Sequence, residues 1–139
     1  MTRMSKLAAA IGLAVAGLML GAAGRPYALR MTSAGMWEVS GAPGARGPVF
    51  QCVADPIALA QFEHRGKRCT RTVISDNLSS TVISYTCLDG GFGRSKITVL
   101  TPRALRIETQ GISQGLPFNY VIQARRVGNC PGGPSAVGH

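Results

Sequence analysis

The chain has 139 residues, 45% of them hydrophobic, a length that allows one globular domain. Lys and Arg number 15 against 6 acids, a formal charge of +9 that bears on solubility and attraction to anions and says nothing about fold. Four cysteines and two histidines, with no Cys-x-x-Cys and no close Cys/His cluster, exclude a dithiol redox centre and a structural zinc site.

Residues 1–23 read as a secretion signal. Arg3 and Lys6 precede an apolar run from Leu7 to Leu20, and Gly21-Ala22-Ala23-Gly24 provides small residues for cleavage after Ala23 or Gly24. That run is shorter than the roughly 20 residues of a spanning helix. Cleavage removes Arg3 and Lys6, leaving 13 basic residues against 6 acids. Residues 24–34 form a leader without periodicity, 35–130 a single β-rich domain, and 131–139 a disordered Gly/Pro tail.

In the domain, Gly35 to Val39 is a short strand, 41–48 a Gly/Pro loop, and Val49 to Val53 a second strand. Asp55-Pro56 opens the one expected helix, of two to three turns, with Ile57, Leu59, Ala60 and Phe62 as its apolar side and Gly66 as its stop. His64 is expected on that helix's exposed side.

The run from Cys69 to Cys87 is a hairpin. Its alternation sets Cys69 opposite Cys87, Arg71 opposite Tyr85 and Val73 opposite Ile83, with Thr70/Thr86, Thr72/Ser84 and Ile74/Val82 on the other face. Leu88 to Arg94 is a Gly-rich connection. Ser95 to Leu100 resumes the sheet, with Ile97 expected beside Tyr85 and Val99 beside Ile83. A turn centred on Pro102 pairs Ile97 with Ile107, Val99 with Leu105, and Lys96 with Glu108. Gln110 to Pro117 reads as a loop, and Phe118 to Val127 as a long strand with Phe118, Tyr120, Ile122 and Ala124 on one face.

The fold class is therefore mainly β: an antiparallel meander of six or seven strands with one short helix and two disulfides. Closing a small meander removes exposed edges, so a partly closed barrel or strongly curved sheet is expected, with the helix over one end or the open face. The hairpin register favours Cys69–Cys87 with Cys52–Cys130. Cys52–Cys69 with Cys87–Cys130 stays open as the alternative.

The order of motifs resembles a family. A secretion signal is followed by Met36-Trp37-Glu38, then Cys52-Val-Ala-Asp-Pro, Cys69 opening a strand, Tyr85-Thr86-Cys87 and a terminal Arg-Arg-Val-Gly-Asn-Cys130. From Gly35 to Cys130 this is similar to a family of small exported proteobacterial proteins, the domain of unknown function numbered thirty-six seventeen. That family usually opens Gly-Leu-Trp-Glu, and Met36 takes the Leu place. The resemblance implies a periplasmic or secreted location and the four-cysteine framework, and it supplies no activity.

Trp37, the one tryptophan, is expected as a structural anchor of the core. Gly35-x-Trp37 is also similar to the lipocalin opening, in which a basic residue of the last strand lies over the indole, a place for Arg125 or Arg126. The loop Asp89-Gly90-Gly91-Phe92-Gly93 joins strands and lacks the Lys-Ser/Thr of a phosphate loop. No catalytic constellation, metal set or cofactor motif stands out. Arg65, Lys67, Arg68 and Arg71, together with Arg125 and Arg126, are the candidate anion-binding residues. The function expected is a noncatalytic envelope protein that binds an anionic envelope component or partner protein through these residues, with peripheral membrane contact and no nucleic acid. The alternatives are a small lipocalin-like barrel with an apolar ligand and, third, an enzyme.

Overall fold

Seven runs of β-branched, aromatic and small polar residues become seven strands: β1 (Gly35–Ser40), β2 (Val49–Val53), β3 (Cys69–Asp76), β4 (Ser80–Cys87), β5 (Phe92–Thr101), β6 (Ala104–Ser113) and β7 (Leu116–Gly128). The structure, a computed structural model, describes residues 25–132; the expected signal and residues 133–139 of the tail lie outside the described residues. All strands join one antiparallel sheet in the order β2-β1-β7-β6-β5-β4-β3. Strands β3 to β7 form the expected meander, and the β1–β2 hairpin docks on β7 through β1. Among the described residues no pairing joins β2 to β3, so the sheet is not closed.

The β3–β4 register is the expected one from Cys69↔Cys87 to Val73↔Ile83. A bulge then sets Ser75, not Ile74, opposite Val82. Ile97↔Ile107, Val99↔Leu105 and Lys96↔Glu108 also pair as expected. Between β4 and β5 the ladder is displaced by four residues: Ile97 faces Thr81 rather than Tyr85, and Ser95 rather than Val99 faces Ile83. The cause is the compact Gly-rich connection. Gly90 N–H donates to Cys87 O (3.1 Å) and Cys87 N–H to Gly91 O (2.7 Å), so β5 starts at Phe92 instead of Ser95. An even displacement keeps every side chain on its expected face.

The expected loop from Gln110 to Pro117 is also mostly strand. Gln114 and Gly115 alone make the turn, at φ 51° and 77°, the left-handed pair that a two-residue hairpin requires.

The helix, Pro56–His64, is a 3-10 helix with a kink at Gln61. Asp55 Oδ1 accepts the Ile57 N–H (3.1 Å), and Pro56 follows as the sequence indicates. The helix lies across the inner sheet face. There Leu59, Ala60 and Phe62 meet Trp37, Val39, Ile83, Ile97, Leu105, Ile107 and Ile122 in one core. The leader belongs to this core as well. A second short 3-10 helix, Tyr27–Leu29, buries Leu29 completely, and Asp76 accepts the backbone N–H groups of Tyr27 and Ala28.

The disulfides are Cys52–Cys130 and Cys69–Cys87, and among the described residues no cysteine is free. Two such bonds fit an oxidising, extracytoplasmic setting. Trp37 is fully buried and donates Nε1–H to Ser33 O (3.2 Å). Arg126, its partner in register on β7, passes over Gly35 and donates from Nε to Ala34 O (2.9 Å). A Cβ on Gly35 would stand 2.6 Å from that Nε and 2.5 Å from Gly128 O, so only glycine leaves the guanidinium its path. Arg126 thus straps the chain entering β1 and also donates to Asn129 Oδ1 (2.7 Å). Arg125 points to the other face, where it pairs with Glu38 (3.0 Å).

Candidate anion-binding end of the sheet

Strand direction sorts the basic residues between the two ends of the sheet. One end holds the 41–48 loop, the exit from the helix, the β4–β5 turn and the β6–β7 turn. Arg65, Lys67 and Arg68 lie in the exit, Arg71 early in β3, Arg94 early in β5, and Arg46 in the 41–48 loop. Arg125 and Arg126 are at the opposite end: Arg125 pairs with Ala104, and Arg126 N–H donates to Arg103 O (2.9 Å). The ten residues of β5 run between the two ends, a length of about 33 Å. The two expected basic groups therefore do not form one face. The separation follows from the meander itself: Arg65 to Arg71 lead into β3 at one end, and β7 carries Arg125 and Arg126 to the other.

At the basic end the side chains differ in their ties. The Arg65 guanidinium lies 4.4 Å from the Phe62 ring centroid and donates to Phe62 O (3.0 Å). Arg71 is opposite Tyr85 in register but donates to Gln61 Oε1 (2.8 Å), so it braces the helix and makes no cation–π contact with Tyr85. Lys67 pairs with Asp89 at 3.5 Å, an exposed ion pair of little stabilising value. Gly91 N–H, with a smaller effect of Lys67, holds the Asp89 carboxyl below its usual range. Among the described residues Arg46, Arg68 and Arg94 have no ion-pair partner.

Beneath these charges is a buried polar layer. His64 is 4% exposed, not on an exposed helix side. Its Nδ1 lies 2.9 Å from Tyr85 Oη, and its ring meets those of Tyr85 (5.4 Å) and Phe118 (5.8 Å). Tyr120 Oη donates to Glu63 Oε2 (2.6 Å). Ser95 Oγ donates to Ala60 O (2.5 Å) and lies 2.7 Å from Thr109 Oγ1. These bonds fasten the helix to the sheet. Glu63 and Tyr120 are 57 residues apart, and nothing in their local sequence marks them as partners.

Burial, and then the nearby Glu63 charge, push the Tyr85 phenol well above its usual range. Burial and the bond to Glu63 do the same for Tyr120. Above pH about 10 an unfolded tyrosine ionises while these two stay protonated, so their contribution is complete below that pH and falls as pH rises. Urea unfolding at pH 9 and pH 11 is expected to show a smaller loss of stability for Tyr120→Phe than for the native chain. An equal loss would contradict this assignment.

Two hollows adjoin the basic end. One, of about 570 Å3, lies between Pro43–Ala45, the helix residues Phe62 and Glu63 with Arg65 just after them, and Pro117–Tyr120. The other, of about 350 Å3 on the outer face, is lined by Arg94, Lys96, Glu108, Gln110 and Asn119. Asn119 borders both. Among the described residues no group of three or more His, Cys, Asp or Glu is placed to hold a metal ion. No helix of the described residues is long and apolar enough to cross a membrane. No family model, no curated protein and no solved structure matches this chain.

Proposed function

We propose that this chain is a noncatalytic envelope protein, periplasmic or secreted after signal cleavage, that holds an anionic partner at its basic end. The supporting observation is a charge imbalance. Arg46, Arg65, Lys67, Arg68, Arg71 and Arg94 share that end, whereas its acids Glu63 and Asp89 are already engaged by Tyr120, Lys67 and Gly91. Such a field attracts anions and speeds encounter. The hollow beside Arg65 offers the partner's acid group a guanidinium and its remainder the surfaces of Pro43, Phe118 and Tyr120. Its size suits a drug-sized group, since such sites run from about 300 to 1,000 Å3. Membership of the exported family resembled by the cysteine and tryptophan motifs belongs to the same proposal. The reading of a barrel around an apolar ligand draws less support, because the sheet is open and Trp37, Leu59, Phe62 and Ile83 fill its inner face.

Heparin, a soluble acidic polymer, is the probe. Binding is expected to weaken steeply with salt and to fall at least about ten-fold when Arg46, Lys67, Arg68 and Arg94 are changed together to Gln. These side chains are exposed, so the melting temperature should stay close to that of the native chain. Affinity indifferent to salt and to the four substitutions would refute the proposal.

A further inference from the structure

The opposite end of the sheet presents apolar side chains that neither the core nor the basic end uses. Met31 follows the Tyr27–Leu29 helix, Leu78 tips the β3–β4 turn and Leu100 stands before the β5–β6 turn; they are 75%, 78% and 55% exposed. With the half-exposed Tyr27 and with Pro102 they border a hollow of about 630 Å3. A single exposed apolar residue is ordinary, but four from three separate segments meeting at one end mark an interaction surface. Basic residues rim it: the Arg30 guanidinium lies 4.9 Å from the Tyr27 ring centroid, and Arg103 is in the adjoining turn. The acids nearby are occupied. Asp76 accepts two backbone N–H groups, and Asp55 pairs with Arg25 at 3.4 Å.

We infer that this end seats on the surface of an anionic phospholipid bilayer. Met31, Leu78 and Leu100 enter the boundary between headgroups and acyl chains, while Arg30 and Arg103 meet phosphates. The basic rim selects an anionic bilayer over a second copy, because a two-fold contact through this end would set Arg30 and Arg103 against their own like charges. With this end on lipid, the end that holds Arg65 to Arg71 is directed away.

The test uses the exported protein freed of its signal and two vesicle preparations, one half phosphatidylglycerol and the other phosphatidylcholine alone. Cosedimentation is expected with the first and not the second. Changing Met31, Leu78 and Leu100 together to Ser should weaken binding at least about ten-fold, the order of one apolar side chain's transfer. The Arg46, Lys67, Arg68 and Arg94 to Gln variant should keep its binding within about three-fold, because those charges lie beyond a Debye length of about 8 Å from the surface. Binding that survives the three Ser substitutions, or is lost instead in the Gln variant, would overturn the inference. So would absence of vesicle binding, including with a native dimer that the Ser substitutions dissolve. Heparin affinity should be unchanged in the Ser variant, so this inference and the proposed function fail separately.

Discussion

Replacing Cys52 and Cys130 with Ala is expected to cost about 4–5 kcal/mol and roughly 15–20 °C in melting temperature, the larger of the two disulfide effects. The argument is loop closure. Cys52 and Cys130 are 78 residues apart, against 18 for Cys69 and Cys87, and a longer loop gives up more unfolded-state entropy when tied. On the same scale removing Cys69–Cys87 costs about 3 kcal/mol. The position of the bonds points the same way. Cys52–Cys130 ties β2 to the chain just beyond β7, whereas β2 otherwise joins the sheet only by pairing with β1. Cys69 and Cys87 already face each other in a ladder that continues for several pairs. Thermal unfolding of the two double-Ala variants checks the order. A smaller effect for Cys52/Cys130 than for Cys69/Cys87 would contradict it.

Trp37→Ala is expected to cost about 3–5 kcal/mol, the range for removing a fully buried large aromatic. The indole is fully buried beside Val39 and the helix residues, and it holds the leader through Ser33 O. Arg126→Gln keeps the core filled but loses the bonds to Ala34 O and Asn129 Oδ1, for which about 1–2 kcal/mol is expected. Denaturant midpoints of the two variants distinguish core anchor from surface strap. Equal midpoints would show that the indole contributes no more than the strap.

Local pairing was the most legible level of the fold. Opposed cysteines at the ends of an alternating run determine a register, and a Pro-centred turn between two Ile/Val/Leu runs determines another, so both ladders were readable from residues alone. The β4–β5 displacement was not readable, because it depends on how few residues Asp89-Gly90-Gly91 need to turn the chain. Gly, Ser and Pro near the β6–β7 turn suggested a loop, yet a two-residue turn leaves those residues in strands. The leader has no period because its hold comes from one buried Leu29 and one distant carboxylate, Asp76. His64 looked polar and exposed for a similar reason. Its burial follows from the helix lying on the sheet with Tyr85 beneath it, a tertiary event with no local signature.

The basic groups show the same limit at the level of the site. Arg65, Lys67, Arg68 and Arg71 are close in sequence and remain together. Arg46 and Arg94 join them only because loop 41–48 and the start of β5 share that end of the sheet. Arg125 and Arg126 leave the group because β7 runs the full length of the sheet before reaching them.

The most direct measurement of the central claim is residue-resolved: amide chemical-shift changes in isotope-labelled protein titrated with a short heparin oligosaccharide. The account predicts saturable shifts at Arg46, from Arg65 to Arg71, at Arg94 and at Asn119, with Arg30, Arg103 and Arg125 unmoved. Shifts confined to Arg30, Arg103 and Arg125, with Arg65 to Arg71 unmoved, would contradict it.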